Sequence, residues 1–217
     1  MPKAPWMQNR WTIAVSGTIV MMILGTIYSW SLFTQPLAAS FGWSNTVTTW
    51  TFAVAIFSLG LGAIAGGQWQ DRIGPRKVAL TGVLLWGLGN FLAGLGTINF
   101  GALWLYATYG LLGGFGAGMA YVAPVAVVTK WFPGHRGLGS GMVAMGFGLG
   151  AVVYNLIIKN IPAFAAAAEA AANSAVQTHV ALRPILGENH VAAVMNVFVF
   201  SGIGFALIAG VCACLLV

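Results

Sequence analysis

Six stretches of about twenty predominantly apolar residues, divided by short polar turns, constrain this 217-residue chain more than any other feature. A helix rises about 1.5 Å per residue, so some twenty residues cross a hydrocarbon layer roughly 30 Å thick. The stretches run approximately from Trp11 to Gln35, Thr46 to Trp69, Val78 to Leu95, Ala102 to Thr129, Leu138 to Ile158 and Val191 to Val217. Only 6% of the residues are charged, against about 25% in a soluble domain, so water is not the main solvent. The fold class that follows is an all-α integral membrane bundle of six transmembrane helices. Lys3 and Arg10 ahead of the first stretch resemble a secretory signal, but the run is too long and no small-residue cleavage site follows, so it reads as an uncleaved span.

The formal charge of +6 matters less than where the cations sit. Lys3 and Arg10 precede helix one, Arg72, Arg76 and Lys77 lie between helices two and three, and Lys130 and Arg136 lie between helices four and five. Only Lys159 and Arg183 fall on the opposite side, where Glu169 and Glu188 balance them. The positive-inside rule therefore places the N-terminus in the cytoplasm. The chain stops at Val217 without a cytoplasmic flank after helix six, which is expected of a truncated or separately handled half whose C-terminal six-helix partner is absent.

The loop 160–189 is alanine-rich and lies outside; it reads as a surface helix or linker. Cys212 and Cys214 sit on divergent faces of the last span and read as packing or lipid-facing residues, not as a metal site or disulfide. Glycines recur at four-residue spacing in helix four (Gly110, Gly114, Gly118), helix five (Gly137 with Gly141, Gly146 with Gly150) and helix two (Gly62 with Gly66). Small residues let helix backbones approach closely in lipid, where apolar burial gives no reward, and smooth glycine faces also permit rocking.

Sliding helix one by 93 residues onto helix four matches Trp11 with Trp104, Ala14 with Ala107, Gly17 with Gly110, Gly25 with Gly118 and Tyr28 with Tyr121. The two helices run in opposite directions across the membrane. The match therefore predicts an inverted three-plus-three repeat, whose paired elements flank a central path.

After helix two comes Gly67-Gln68-Trp69-Gln70-Asp71-Arg72-Ile73-Gly74-Pro75-Arg76-Lys77, an acid, several bases and a glycine-proline turn at a membrane surface. This string resembles the cytoplasmic signature of the major facilitator superfamily, with Pro75 in place of a usual arginine. The resemblance implies a latch that holds two six-helix halves together in the outward-open state. Gly67, Asp71, Arg72, Gly74, Arg76, Lys77 and, from the next cytoplasmic loop, Arg136 are its candidates. Asp71 would face a helix end of the missing half, and Arg72 and Arg76 would make charge-assisted bonds nearby.

The second cytoplasmic loop, Lys130-Trp131-Phe132-Pro133-Gly134-His135-Arg136-Gly137-Leu138-Gly139-Ser140-Gly141, is similar to the oxalate/formate antiporter family, which stands near the monocarboxylate transporters. Asn9-Arg10-Trp11, Tyr28-Ser29-Trp30-Ser31-Leu32 and Gly146-Phe147-Gly148-Leu149-Gly150 extend the likeness over helices one to five. It implies an antiporter of the bacterial cytoplasmic (inner) membrane that moves small mono- or dicarboxylates such as oxalate, formate, pyruvate or lactate by alternating access. By position, Tyr28, Tyr121 and Phe147 would line its cavity, Phe147 in a place where a family tyrosine can stand, with Trp30 and Asn155 as further candidates. Tyrosine suits the task because its ring packs on a flat carboxylate and its hydroxyl donates to an oxygen. Asn155 also suits a bond to a neighbouring helix.

No Asp, Glu, Lys, Arg or His lies near the middle of any span. The cations an anion needs would come from the second half. An intramembrane enzyme is disfavoured, since the spans hold no nucleophile with a base, no paired carboxylates and no metal-ligand cluster, and His135, His179 and His190 are scattered in loops. No cofactor, metal or nucleic acid is called for. The alternative function is a self-assembling six-helix pore or structural membrane subunit.

Overall fold

The computed structural model describes residues 9–177 and 188–216; Lys3, His179 and Arg183 lie outside them, as do the side chains of Arg136 and Glu188. Helix α1 (Arg10–Gly25) starts at Asn9, whose side-chain oxygen accepts from the Trp11 N–H at 3.0 Å and satisfies a donor the first turn leaves free. It tightens into a 3-10 turn (Thr26–Trp30) and continues as α2 (Ser31–Phe41). Helix α3 (Asn45–Ile73) is capped by the Ser44 hydroxyl, which accepts from the Val47 N–H.

Gly74 ends α3 at φ +88°, a backbone region that a side chain resists, and Pro75 then opens α4 (Pro75–Leu105) at a position where its missing N–H costs nothing. A π-helical stretch (Tyr106–Gly113) and α5 (Gly114–Trp131) follow. Helices α6 (Arg136–Lys159), α7 (Pro162–Gln177) and α8 (Glu188–Leu215) complete the described chain.

Among the described residues, five helical runs are long and apolar enough to cross a membrane: Arg10–Phe41, Asn45–Ile73, Pro75–Trp131, Gly137–Lys159 and Asn189–Leu215. The third has 57 residues, about 85 Å of helix and far too much for one crossing. It reverses at Gly101, whose φ of +70° and ψ of −156° break the helix. The Trp104 indole then donates back to the Leu92 carbonyl at 2.8 Å, pinning a hairpin of two antiparallel crossings. The described residues therefore make six spans.

The inverted repeat is visible in how the helices touch. A Cβ added at Gly25 of α1 would fall on the Phe147 carbonyl of α6, and one at Gly150 of α6 on the Met22 carbonyl of α1. Likewise, one at Gly118 of α5 would fall on the Leu59 carbonyl of α3, and one at Gly62 of α3 on the Phe115 carbonyl of α5. The 93-residue offset carries Gly25 to Gly118 and Met22 to Phe115; an offset of 88 carries Gly62 to Gly150 and Leu59 to Phe147. One glycine-mediated crossing is thus built twice, in opposite senses. Helix α4 packs on α8, the third pair of the repeat, through Gly87, Gly94 and Gly202.

An aromatic core fills one end of the bundle. Trp30 lies against Tyr109 at 4.7 Å between ring centres, Phe33 against Phe198 at 4.7 Å, and Tyr154 against Phe205 at 5.6 Å. The alanine-rich segment is the helix α7, laid across α2 and α8. It buries Phe164, Ala167 and Ala171 on one face, and Phe164 meets Phe33 edge-on at 5.4 Å. Only 28% of the apolar window of α3 and 22% of that of α6 are buried, against 61% for the first span, so these two helices present the least-covered faces.

Candidate functional site

Tyr28, Phe147 and Tyr121 come from three different spans and meet in one place. The Phe147 ring stands edge-on to Tyr28 at 5.4 Å and to Tyr121 at 5.2 Å, with interplanar angles of 87° and 73°. Such T-shaped arrangements set the positive edge of one ring against the negative face of another. The glycine crossings place them. Tyr28 lies about one turn beyond Gly25, at the point where α1 rests on the Phe147 carbonyl, and Tyr121 lies one turn beyond Gly118 at the equivalent crossing of α5 and α3.

Tyr28 is 52% exposed, and Tyr121 and Phe147 are half-buried, so the trio forms a wall on an open face. Among the described residues neither tyrosine hydroxyl has a hydrogen-bond partner. Two free phenol donors therefore flank a hydrocarbon ring. Phe52 of α3, which carried no sequence motif, extends the wall beyond Tyr28 at 6.2 Å.

Trp30 and Asn155 are placed differently. The Trp30 ring is 4% exposed, packs on Tyr109, Phe33 and Phe198, and uses its indole N–H to donate to the Thr48 carbonyl at 2.9 Å. Its one polar group is thereby engaged inside the bundle. The Asn155 amide donates to the Ala151 carbonyl at 2.6 Å and to the Ser29 hydroxyl at 3.4 Å, and Ser29 in turn donates to Ala151 at 3.2 Å. Asn155 thus ties α6 to the 3-10 turn that carries Tyr28. Asn155 lies eight residues, about 12 Å of helix, from Phe147.

At the other end of α3, Asp71, Arg72, Arg76 and Lys77 are exposed around the Gly74 turn, and Gly67 is half-buried one turn earlier. Among the described residues none of these charged groups has an ion-pair partner. A groove of about 330 Å³ opens beside Asp71, lined by Gln70, Pro75, Val127, Lys130 and Trp131 among others, and the Gln70 side-chain oxygen is buried there without a partner. The groove and its charges have the makings of a docking point for another element. No group of three or more His, Cys, Asp or Glu residues that could hold a metal occurs among the described residues.

Comparison with known proteins matches residues 14–216 to the family described as Major Facilitator Superfamily. Over 157 residues the chain is 32% identical to the oxalate:formate antiporter of Oxalobacter formigenes, covering 70% of this chain and 36% of that protein. Over another 157 it is 30% identical to the uncharacterized MFS-type transporter YhjX of Escherichia coli (strain K12), covering 72% and 38%. The apicoplast pyruvate carrier 1 of Toxoplasma gondii is 27% identical over 192 residues, covering 68% and 34%. The chain spans little more than a third of the length of these curated relatives.

Proposed function

Since this chain belongs to the major facilitator superfamily and is an integral membrane protein, we propose that it is the first six-helix half of a secondary carrier for small mono- or dicarboxylates, working by alternating access. The observation that carries the reading is the Tyr28, Phe147 and Tyr121 wall, with its two unpartnered hydroxyls on an open face. A carboxylate seated on that wall takes hydrogen bonds from the phenols while its apolar part packs against the rings. The relatives named as an oxalate:formate antiporter and a pyruvate carrier support the same chemical class.

The wall holds no cation, and an anion leaving water needs one. A second six-helix bundle supplies it, seated on the poorly covered faces of α3 and α6. The twice-built glycine crossing brings α1 onto α6 and α3 onto α5 by close backbone contact, which supports this half moving as one body against the other. Gly67, Asp71, Arg72, Gly74, Arg76 and Lys77, with Arg136, form the cytoplasmic latch, and the groove beside Asp71 takes a helix end of the second half. Excess Lys and Arg at that end supports a cytoplasmic side for it and for the N-terminus, and the relatives from Escherichia coli and Oxalobacter formigenes support a bacterial inner membrane.

The test is carboxylate uptake by the native full-length protein carrying Tyr28→Phe or Tyr121→Phe. Each variant loses one donor to a charged oxygen, which weakens half-saturation by about tenfold or more while expression holds. Unchanged uptake kinetics in both variants would remove the binding assignment.

A further inference from the structure

The N-terminal end of α3 is hydrogen-bonded to helix one and to helix four through two successive carbonyls. The Val47 carbonyl accepts from the Tyr106 hydroxyl at 2.7 Å, and the Thr48 carbonyl accepts from the Trp30 indole N–H at 2.9 Å. Each donor stands where its helix leaves α geometry: Trp30 ends the 3-10 turn, and Tyr106 opens the π-helical stretch. Departures of this kind inside a long helix often mark hinges and functional sites.

Thr51 lies one turn further along α3, fully buried, and its hydroxyl has no partner among the described residues. The other buried threonines, Thr26, Thr48, Thr97 and Thr108, each donate to the carbonyl three or four residues before, as a threonine in a helix commonly does. For Thr51 those carbonyls belong to Thr48 and Val47. A carbonyl oxygen has two lone pairs; the helix N–H four residues on takes one, and here Trp30 or Tyr106 takes the other. Thr51 is therefore a donor shut out by side chains from two neighbouring helices. The π-helical stretch passes close by, since a Cβ added at Gly110 would lie 3.6 Å from the Thr51 carbonyl.

We infer that Thr51 is a reserve donor: when Trp30 or Tyr106 lets go of α3, the Thr51 hydroxyl turns onto the vacated carbonyl. The fold thus holds two hydrogen-bond states. In the one described, helices one and four are bound to α3 and Thr51 is idle; in the other, Thr51 is bound and one of those helices is free to bend at its hinge. Without the reserve, a carbonyl left bare inside the bundle would oppose the release. The part this plays in exchange rests on the alternating-access reading above, whereas the replacement of one donor by another does not.

Two measurements on the native full-length protein test it. The first is a thermal double-mutant cycle on Tyr106→Phe and Thr51→Val, each of which removes a hydroxyl and keeps the shape. Thr51→Val alone holds or raises the midpoint, because it deletes an unpartnered buried group. Tyr106→Phe alone lowers it by about 1 °C or less, because Thr51 takes over; in the Thr51→Val background it leaves the Val47 carbonyl bare and lowers it by about 3 °C or more. With Thr51→Ser, which keeps the hydroxyl, the loss returns to the small value. Equal losses from Tyr106→Phe in the Thr51 and Thr51→Val backgrounds overturn the inference, as does a Tyr106→Phe variant that fails to fold. The second measurement is the rate of carboxylate exchange across liposomes at saturating substrate. Thr51→Val slows it about tenfold, the worth of one acceptor left without its donor, and Thr51→Ser restores it. An unchanged rate in Thr51→Val overturns the role in exchange. Folded wild type that exchanges no carboxylate overturns the carrier reading and that role with it, while the thermal cycle still decides whether Thr51 replaces Tyr106.

Discussion

Replacing Gly118 by alanine puts a carbon onto the Leu59 carbonyl and within 2.8 Å of the Ala63 nitrogen. Both obstacles are backbone of α3, and backbone cannot swing aside as a side-chain tip does. Helices α3 and α5 must part by several tenths of an ångström or more, breaking contacts along the whole crossing. Overpacking of this kind costs typically 1–3 kcal/mol, and about 2 kcal/mol is expected here. At roughly 2–4 °C per kcal/mol for a chain of this size, the midpoint of unfolding falls by about 4–8 °C. Gly25→Ala meets the Phe147 carbonyl in the same way, so the repeat predicts a loss of the same size. Gly210 has nothing within 4 Å of an added Cβ, and Gly210→Ala should be neutral or stabilising by up to about 1 kcal/mol. Heating in detergent with a thiol-reactive fluorophore, on a Cys214→Ser background that removes the partly exposed thiol, reads all three, because Cys212 is buried until the bundle opens. A Gly118→Ala midpoint within about 1 °C of wild type would refute the argument from backbone contact.

Two further outcomes follow from other parts of the fold. Asp71→Asn removes the latch carboxylate from an exposed turn, so it should slow interconversion, read as the exchange rate, while equilibrium binding of substrate persists; a folded variant that no longer binds would argue against a latch. Phe164→Ala strips α7 of its buried aromatic ring and should cost about 3 kcal/mol. Limited proteolysis should then cut within 162–177 in the variant and spare the wild type; equal resistance would mean that the alanine face alone holds α7 in place.

The trio was readable because the family resemblance named Tyr28, Tyr121 and Phe147 by position, and the 93-residue offset independently paired Tyr28 with Tyr121. Apart from the resemblance, nothing in the sequence singled out Phe147. The equivalence of helices two and five was not readable, since its matched residues include Leu59 with Phe147, which share no identity, and it emerged only from the glycine contacts. Trp30 and Asn155 show the limit for polar side chains. An indole or amide can serve a ligand or a neighbouring carbonyl, and only the fold reveals that Thr48 lies 2.9 Å from one and that Ala151 and Ser29 lie near the other. Gly101 carried no sign of a backbone at φ +70°, so the hairpin between α4 and α5 read as an ordinary gap between spans. Phe52 was invisible for a plainer reason: a phenylalanine in an apolar span is indistinguishable from core until its neighbours are known.

The most direct test of the central claim is counterflow in liposomes reconstituted with the full-length protein, loaded with unlabelled pyruvate or oxalate and diluted into a trace of the labelled anion. A carrier that alternates its access predicts saturable uptake, with transient accumulation of label driven by the outward gradient. Uptake that rises linearly with concentration together with an ohmic current would contradict the account and establish a pore.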